Sequence, residues 1–325
     1  MTDKPLVSVI IPTYNRINKI GAAIDSVLNQ TYAPIQLIIS DDGSTDGTED
    51  FIKSKYPDVD YIQGVHGGQA SARNNGLSIS KGGIIASLDS DDQWLPEFLE
   101  LCVAKLEADN LDFVFTNWYQ QDLNGGYSDF LSRDIYLRPY MTESGRWQHL
   151  SPGDLRDLYL KACPSPSSSA VIRKSSIVSG WNNQIRVGDD WCLYMDMILS
   201  KNCNAAFTMD SLWRKHINSN NVYDGRKRNE LLDLFYIGDT IEFMNRFGTK
   251  LTPHELAYLN KRCTRGFVEL AKHYLIRDFN FGQFAKLMGR SAKLGLKDTL
   301  VAIPDVVLFG MDRHFKDLWG RFLKK

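Results

Sequence analysis

The sequence predicts an α/β fold in which a mostly parallel sheet is flanked by helices, followed by a helical C-terminal extension. Over roughly the first 117 residues, short apolar, β-branched runs alternate with segments whose apolar residues recur at helical spacing. This alternation is typical of parallel strands joined by helical crossovers. From about Arg226 onwards the pattern becomes helical throughout.

Each strand is predicted from a short apolar run that ends at a turn residue or a polar cluster. The first run ends at Pro12, and the second ends in Asp41-Asp42-Gly43. The predicted strands are Leu6–Ile11, Ile35–Ser40, Val59–Ile62, Gly83–Leu88, Asp112–Thr116 and Ser168–Arg173.

The helices are predicted from apolar spacing and from the residues at their starts. Ile20, Ile24 and Val27 define the first helix. The helices predicted after it are Asp46–Lys55, Gln69–Ser80, Glu97–Leu106 and Trp191–Leu199. Residues 119–165 lack this rhythm, and we expect a loop-rich segment there. Its aromatic residues either line a groove in which their rings stack on a ligand or belong to the core.

Composition excludes several classes of protein. The chain has 325 residues, of which 43% are hydrophobic and 24% charged, so it is neither disordered nor collagen-like. Five cysteines without a CxxC pair argue against a disulfide framework and a zinc site, and favour a reducing cytoplasm. The sequence shows neither a signal-peptide pattern nor an apolar run of membrane-spanning length. We therefore expect a cytoplasmic protein, soluble or peripheral on the inner face of the cell membrane.

Charge is unevenly distributed along the chain. Residues 225–325 carry 19 Lys and Arg against 11 Asp and Glu, although the formal net charge of the whole chain is −1. The acidic first part and the basic tail suggest a metal-using site followed by a region with an anionic partner. The alternative is that these charges only solvate exposed helices. Nucleic acid is not an expected partner.

Polar clusters follow three of the predicted strands. They are Thr13-Tyr14-Asn15, Asp41-Asp42 and Asp89-Ser90-Asp91-Asp92. Ligands of open α/β sheets bind at the carboxyl ends of the strands, so we expect these clusters to form a site. Carboxylates that converge there repel one another unless a cation neutralises them, and oxygen ligands select Mg²⁺ or Mn²⁺. A solvated turn or a helix N-cap would explain the last cluster equally well.

Four motifs, in this order and spacing, resemble a family 2 glycosyltransferase with the GT-A fold. They are PLVSVIIPTYNR, IISDDGSTDGT, GGQASARNNGL and LDSDDQWLP, and the resemblance covers about residues 5–220. It implies an inverting transferase that moves a sugar from a nucleotide donor, foremost a UDP-sugar, to a hydroxyl of a glycan or lipid-linked glycan. The implied catalytic domain spans residues 1–224, with a nucleotide-sugar half at 1–117 and an acceptor half at 118–224. Residues 225–325 form the helical region.

The resemblance also implies which residues hold the nucleotide. Tyr14 can stack on a base, Asp42 accepts a hydrogen bond from the base or ribose, and Arg73 lies near the base and pyrophosphate. The matching positions are Pro12, Thr13, Tyr14, Asn15, Asp41, Asp42, Arg73, Asp89 and Ser90. The alternatives are that Tyr14 packs in the core, that the aspartates form an Asx turn, and that Arg73 is an exposed helix residue.

The metal site and the general base are implied in the same way. Asp91 matches the carboxylate that holds Mn²⁺ or Mg²⁺, and Asp89 matches one that faces the ribose or the metal. Asp189-Asp190 matches an acidic pair that usually reads Glu-Asp, and it implies Asp190 as the base. A helix N-cap is the alternative for this pair. His216 completes the metal site or is an ordinary surface or core residue.

The absence of two motifs disfavours two classes of enzyme. The Gln-x-x-Arg-Trp signature of processive synthases is missing, which favours a single transfer, and no GxGxxG follows the first strand, which disfavours a dehydrogenase. At the level of pathway, the resemblance suggests bacterial surface-polysaccharide synthesis. A polyprenyl-phosphate sugar transferase and a non-catalytic sugar-nucleotide-binding protein stay open as alternatives.

The last segment, residues 312–325, has one apolar face surrounded by basic residues. Phe315, Leu318, Trp319, Phe322 and Leu323 recur at helical spacing. This pattern is typical of a helix that lies on an anionic membrane leaflet. The same face could instead dock on the catalytic domain, or on a second subunit of a homo-oligomer.

Overall fold

The computed structural model describes residues 4–121, 126–142, 145–216, 223, 226–304 and 306. The chain divides into two compact units, residues 1–220 and 221–325. The division of function that the sequence suggests for these parts stays a prediction.

Unit 1 is built on one sheet, which in the described residues has ten strands. The strands are β1 Val7–Thr13, β2 Ile35–Asp41, β3 Asp60–Gln63, β4 Ile84–Ser87, β5 Gln93–Trp94, β6 Phe113–Gln121, β7 Tyr127–Asp129, β8 Trp147–Leu150, β9 Ala170–Arg173 and β10 Ala205–His216. Their order is β3-β2-β1-β4-β9-β6-β10-β5, with β7 on β6 and β8 on β10. The α/β fold is therefore confirmed.

Parallel pairing is concentrated in the first half of the sheet. β1 pairs in parallel with β2 and β4, β2 with β3, and β6 with β10, whereas β9, β5, β7 and β8 pair antiparallel with their neighbours. All seven residues of β1 are buried, because parallel strands are covered on both faces. Thr13 pairs with Asp41 in register, so the first two polar clusters leave the sheet side by side.

The helices of unit 1 pack against this sheet through apolar faces, as predicted. Those of eight residues or more are α1 Ile20–Leu28, α2 Thr48–Lys55, α3 Gln69–Ile79, α4 Phe98–Ala108, α5 Pro152–Lys161 and α6 Asp189–Ser200. α2 begins two residues later than predicted, because Asp46 Oδ1 accepts hydrogen bonds from the amide and hydroxyl of Thr48 in the turn before it.

The prediction of a loop-rich segment at residues 119–165 is wrong in part. Besides β7 and β8 the segment contains α5, whose start is fixed by a capping box between Ser151 and Asp154. β10 was not predicted at all. It lies between β6 and β8 and is buried on both faces at its start, so its sequence lacks a strand-like alternation of polar and apolar residues.

Unit 2 is helical in its described part, as expected. It contains α7 Arg228–Leu231, a π-helical turn at Leu232–Asp239, α8 Thr240–Phe247, α9 Pro253–Ile276 and α10 Phe281–Leu294, and the backbone at 296–304 is helical. Thr252 and Asn280 cap α9 and α10, and their side chains accept hydrogen bonds from the amides of Glu255 and Gln283. Among the described residues, no helix is long and apolar enough to cross a membrane. The predicted amphipathic segment 312–325 lies outside the described residues.

Candidate active site

The candidate site lies at the carboxyl ends of β1, β2 and β4, and Arg73 on α3 is at its centre. The Arg73 side chain is only 1% exposed. Its Nη2 donates to Asp89 Oδ1 over 2.6 Å, and its Nη1 donates to Asp189 Oδ2 over 2.5 Å. Asp190 Oδ1 lies 3.7 Å from the same Nη1. One buried cation therefore joins the loop after β4 to the first turn of α6.

Electrostatics keep Arg73 charged. Burial disfavours the guanidinium charge, but Asp189, Asp190 and Asp89 outweigh this effect and raise the pKa of Arg73 above its ordinary value. Because the Arg73 side chain is buried, the interpretation of Arg73 as an exposed helix residue is wrong. Its contact with a base or pyrophosphate stays a prediction, because Nη1 and Nη2 both already face carboxylates.

Asp189 is buried and contacts other residues of the site rather than solvent. Besides Arg73 it accepts a hydrogen bond from Gln69 Nε2 over 2.7 Å, and Gln69 lies one helical turn before Arg73 on α3. Burial raises the pKa of Asp189 to about 7 against the opposing charge of Arg73. Neither Asp189 nor Asp190 caps α6, because Gly188 occupies that position, so the N-cap interpretation of the pair is wrong.

Asp190, the predicted base, is more accessible and is held by neutral donors. Its Oδ2 accepts from the Ser167 amide over 2.9 Å, and its Oδ1 accepts from Ser167 Oγ and, over 3.3 Å, from Trp181 Nε1. The side chain is 20% exposed. These contacts fix the direction of the carboxylate and leave part of it open to a ligand.

The two aspartates after β2 have internal partners on every carboxylate oxygen. Asp41 accepts from the Ser44 amide and the Tyr61 hydroxyl. Asp42 accepts from the amides of Gly67 and Gly68, each over 2.8 Å. Both carboxylates thus order the loops around the site. The Asp41 contact reaches the amide three residues on, at Ser44, whereas an Asx turn reaches the amide two residues on. A bond from Asp42 to a nucleotide stays a prediction.

The loop after β1 presents one ring to solvent. Pro12 and Thr13 are buried, whereas Tyr14 is 42% exposed and stacks on His66 with ring centroids 4.2 Å apart. The interpretation of Tyr14 as a core residue is therefore wrong. Asn15 adopts φ +51° and connects this loop to the next by hydrogen bonds with Ser44 Oγ and the Thr45 amide.

The loop at residues 89–92 is mostly buried and strongly acidic. Ser90 and Asp92 are buried and the Asp91 side chain is 11% exposed, whereas the Asp89 side chain is 40% exposed. Arg16 Nη2 lies 4.0 Å from Asp91 Oδ2. Asp92 accepts a hydrogen bond from Ser168 Oγ over 2.8 Å. Burial, reinforced by the charges of Asp89 and Asp91, raises the pKa of Asp92 well above its ordinary value. This loop is neither a solvated turn nor the cap of α4, whose N-cap residue is Glu97.

His216 reaches the same loop from the end of β10. Its amide lies 3.4 Å from Asp92 Oδ1, and its Nδ1 is 2.8 Å from Gln121 Oε1. Burial lowers the pKa of His216, and the negative charge of Asp91 opposes that change. The neutral imidazole that a metal ligand requires is therefore favoured.

These residues fit a divalent cation only as a partial ligand set. The described residues contain no group of three or more His, Cys, Asp or Glu side chains placed to hold a metal ion. Mg²⁺ and Mn²⁺ are commonly held by one or two carboxylates together with substrate phosphates and water. Asp91 and the second oxygen of Asp89 meet that requirement, and the unfavourable charge concentration at Asp92 is what a cation would relieve.

The sequence did not predict several residues that contact the aspartates of the candidate site. Ser167, Ser168, Gln69 and Trp181 have no chemistry that singles them out, and each acts by holding an aspartate or its loop. Gln69 alone carried a signal, since it lies four residues before Arg73 and therefore on the same face of α3.

The chain is similar in sequence to a known protein family and to individual proteins. The sequence profile of Glycosyl transferase family 2 matches residues 8–173. The chain is 32% identical over 218 residues to the Escherichia coli UDP-Glc:alpha-D-GlcNAc-diphosphoundecaprenol beta-1,3-glucosyltransferase WfaP, covering 66% of this chain and 79% of that protein. It is 44% identical over 116 residues to chondroitin synthase of Pasteurella multocida, which is 34% of this chain and 12% of that one.

The fold is shared with solved structures. S. aureus TarS 1–349 in complex with UDP-GlcNAc has a TM-score of 0.59 and 16% identity, covering 89% of this chain and 81% of that one. A Pyrobaculum calidifontis mannosyltransferase in complex with GDP-Man and Mn²⁺ has a TM-score of 0.56 and 19% identity, covering 94% and 81%. Some relatives are much longer, and the chain spans only 26% of an uncharacterized glycosyltransferase of Rickettsia bellii to which it is 33% identical over 194 residues.

Proposed function

Since this chain belongs to glycosyltransferase family 2, we propose that it transfers a sugar from a nucleotide donor to a hydroxyl of a glycan, with inversion at the anomeric carbon. The observation that carries the proposal is the contact of Arg73 with Asp89 and Asp189, with Asp190 3.7 Å away. This contact holds the acidic loop proposed for the donor beside the carboxylate proposed for the acceptor.

Asp190 is the proposed general base. The acceptor hydroxyl gives its proton to the Asp190 carboxylate while its oxygen attacks the anomeric carbon, and the bond from that carbon to the nucleoside diphosphate breaks on the opposite face. A single carboxylate suffices because the diphosphate leaves as an anion and needs no proton. Ser167 and Trp181 orient Asp190 for this step, and its partial exposure admits the hydroxyl.

The donor is proposed to be a UDP-sugar. Its base would stack on the exposed ring of Tyr14, close to Asp42. The name of the E. coli relative specifies UDP-Glc, and the TarS structure contains UDP-GlcNAc, which supports uridine. Because the mannosyltransferase structure contains GDP-Man, GDP is the nucleotide to compare with UDP in binding experiments.

Mn²⁺ or Mg²⁺ is the proposed cofactor. Asp91 would hold it, with Asp89 and His216 beside it, and its chemistry would be to neutralise the charge that develops on the departing diphosphate. Arg16, 4.0 Å from Asp91, adds a second positive charge on the same side.

The proposed acceptor is a lipid-linked glycan in the synthesis of a bacterial surface polysaccharide. The name of the E. coli relative, whose own length the chain covers to 79%, specifies a sugar on a diphosphoundecaprenol acceptor, and this supports the proposal. Peripheral membrane contact through residues 312–325 would bring the enzyme to such an acceptor.

Thermal unfolding of the full chain with UDP, GDP and dTDP tests the donor, each with Mn²⁺ or with EDTA. A nucleotide at 100 times its Kd stabilises by about 2.7 kcal/mol. For a domain of this size, that is roughly 5–10 °C in Tm. We expect UDP to give the largest increase and EDTA to abolish it. The absence of a shift with all three nucleotides would contradict the proposed function.

A further inference from the structure

We infer that the exposed face of the β6–β7 ribbon, continued by the edge of β10, binds a pyranose ring of the acceptor. The inference rests on the proposed function, which it extends by naming acceptor-binding residues. It assigns Tyr119 and Tyr127 to the face of the sugar ring and Gln121 to the hydroxyl groups at its edge.

Strand register places these residues on one face. In the antiparallel pair, Gln121 of β6 is opposite Tyr127 of β7, and Tyr119 is opposite Asp129. Side chains two residues apart on a strand share a face, and directly opposed residues share it too. Tyr119 and Tyr127 are diagonal neighbours, at a separation of about 7–8 Å that leaves room for a sugar ring to contact both.

The two faces of the ribbon differ sharply in burial. On one face, Trp118 is only 3% exposed and stacks on the fully buried Trp213, whereas Phe130, which also stacks on Trp118, is 41% exposed. On the other, Tyr119 is 41% exposed and Tyr127 is 52% exposed. The aromatic residues of this segment thus divide into a core set and a surface set, which the sequence alone left undecided.

The exposed face leads directly to the candidate active site. β10 pairs with β6 in parallel, with His216 in register with Gln121 and the exposed Arg214 in register with Tyr119. Gln121 Oε1 is 2.8 Å from His216 Nδ1, and the His216 amide meets Asp92 in the acidic loop. A molecule lying on the tyrosines therefore borders the loop proposed for the metal and the donor diphosphate.

A saccharide fits the chemistry of this face. A pyranose presents axial C–H groups on its ring face and hydroxyls around its rim, so it pairs with side chains that combine an apolar body with a polar tip. Tyrosine is such a side chain. Gln121 and Arg214 offer hydrogen-bond donors at the edges of the rings, where hydroxyls would lie.

Saturation-transfer difference NMR tests this inference on the full chain with UDP and Mn²⁺ present. The probes are the methyl glycosides of glucose, galactose and N-acetylglucosamine. The variants are Tyr119→Ala, Tyr127→Ala and the double variant, and the control is Tyr136→Ala, whose tyrosine is also 41% exposed but lies outside the ribbon. We expect ring C–H signals for at least one glycoside with wild type and the control, reduced roughly tenfold in the double variant.

Two results would overturn the inference. One is the absence of signal from every glycoside with wild type, and the other is an unchanged signal in the double variant. The UDP-dependent increase in Tm is measured on the same samples. If that increase is present while the inference fails, only the acceptor face is wrong, whereas its absence in wild type means that the proposed function itself fails.

Discussion

Arg73 and Asp189, 116 residues apart in the sequence, form a buried ion pair in which Nη1 lies 2.5 Å from Oδ2. Neither side chain is more than 2% exposed. The pair connects α3, which belongs to the region proposed to bind the nucleotide, to α6, which carries the proposed base. We therefore interpret Arg73 as a residue that positions acidic groups, in addition to any contact it makes with the donor.

Replacing Arg73 with Met should destabilise unit 1 strongly. Asp189 would remain buried without its cation, a situation that typically costs 3–5 kcal/mol. Urea unfolding followed by tryptophan fluorescence measures the change. The matched control is Arg146→Met, because Arg146 pairs with Asp210 at the surface of the same unit, where such pairs contribute about 0–1 kcal/mol. Equal losses in the two variants would contradict the importance of the buried pair.

Asp190→Asn should lower the rate of transfer by about 10²–10⁴-fold, the usual contribution of a general base. The amide retains an oxygen for the Ser167 amide but cannot take the proton of the acceptor hydroxyl. The UDP-dependent increase in Tm should persist, because Asp190 does not hold the nucleotide in this proposal. Asp157→Asn, which alters an exposed carboxylate of α5, is the control with wild-type rate. Full transfer by Asp190→Asn would refute its role as the base.

Asp92→Asn should change how stability depends on pH in the metal-free protein. Because the pKa of Asp92 is raised above 3.8, mainly by burial, the folded state holds the proton more tightly than the unfolded state. Wild type therefore loses stability as pH rises above about 3.8, and the asparagine variant lacks this loss. Chemical unfolding in EDTA between pH 4 and pH 7 measures the difference, which should grow with pH in favour of the variant.

Asp112 provides a control of opposite sign. Burial tends to raise its pKa, but contacts with Lys201, Ser176 and the Asn204 amide outweigh burial and lower the pKa below 3.8. Its stabilising contribution is present above that pH and is lost as pH falls. Asp112→Asn should therefore be less stable than wild type at pH 7. If the difference in stability from wild type changes with pH in the same direction for both variants, Asp92 is ionised in the folded state.

Asp42→Asn should destabilise the protein even without nucleotide. The asparagine amide would present N–H groups to the amide of Gly67 or Gly68, and one buried donor would lose its acceptor at a cost of about 1–3 kcal/mol. Thermal unfolding of the ligand-free chain measures this, with the exposed Asp50→Asn as control. Unchanged ligand-free stability would indicate that Asp42 serves the nucleotide alone.

Local patterns were sufficient to predict the first half of the sheet. Strands β1, β2 and β4 are short, mostly apolar runs followed by polar clusters, and the first helix between them shows clear periodicity. β10 could not be found in this way, because register shifts between Thr208 and Arg214 disrupt any regular alternation. α5 did carry two signals, the capping sequence Ser151-Pro152-Gly153-Asp154 and the helical spacing of Leu155, Leu158 and Tyr159, and the prediction of a loop-rich segment missed both.

The contacts within the candidate site were even less predictable from the sequence than the strands. Motif resemblance pointed to the aspartates and Arg73 but gave no partner for any of them. The structure brings Arg73 together with Asp89, Asp189 and Asp190. Gln69 meets Asp189 across 120 residues, and Ser168 meets Asp92 across 76. Such pairings depend on how distant segments pack, so an isolated sequence offers only their chemical types.

Strand β9 lies between β4 and β6, although it is made more than 50 residues after β6 begins. A nascent chain that ends near residue 117 therefore leaves one edge of β4 and both edges of β6 without their partner strands, and unpaired edges are templates for aggregation. At about 5–20 residues per second, the ribosome needs several seconds to supply the missing strand. We expect a gene truncated near the codon for residue 117 to yield insoluble protein rather than a soluble fragment that binds nucleotide. A functional enzyme assembled from two separate chains would require the division at another position.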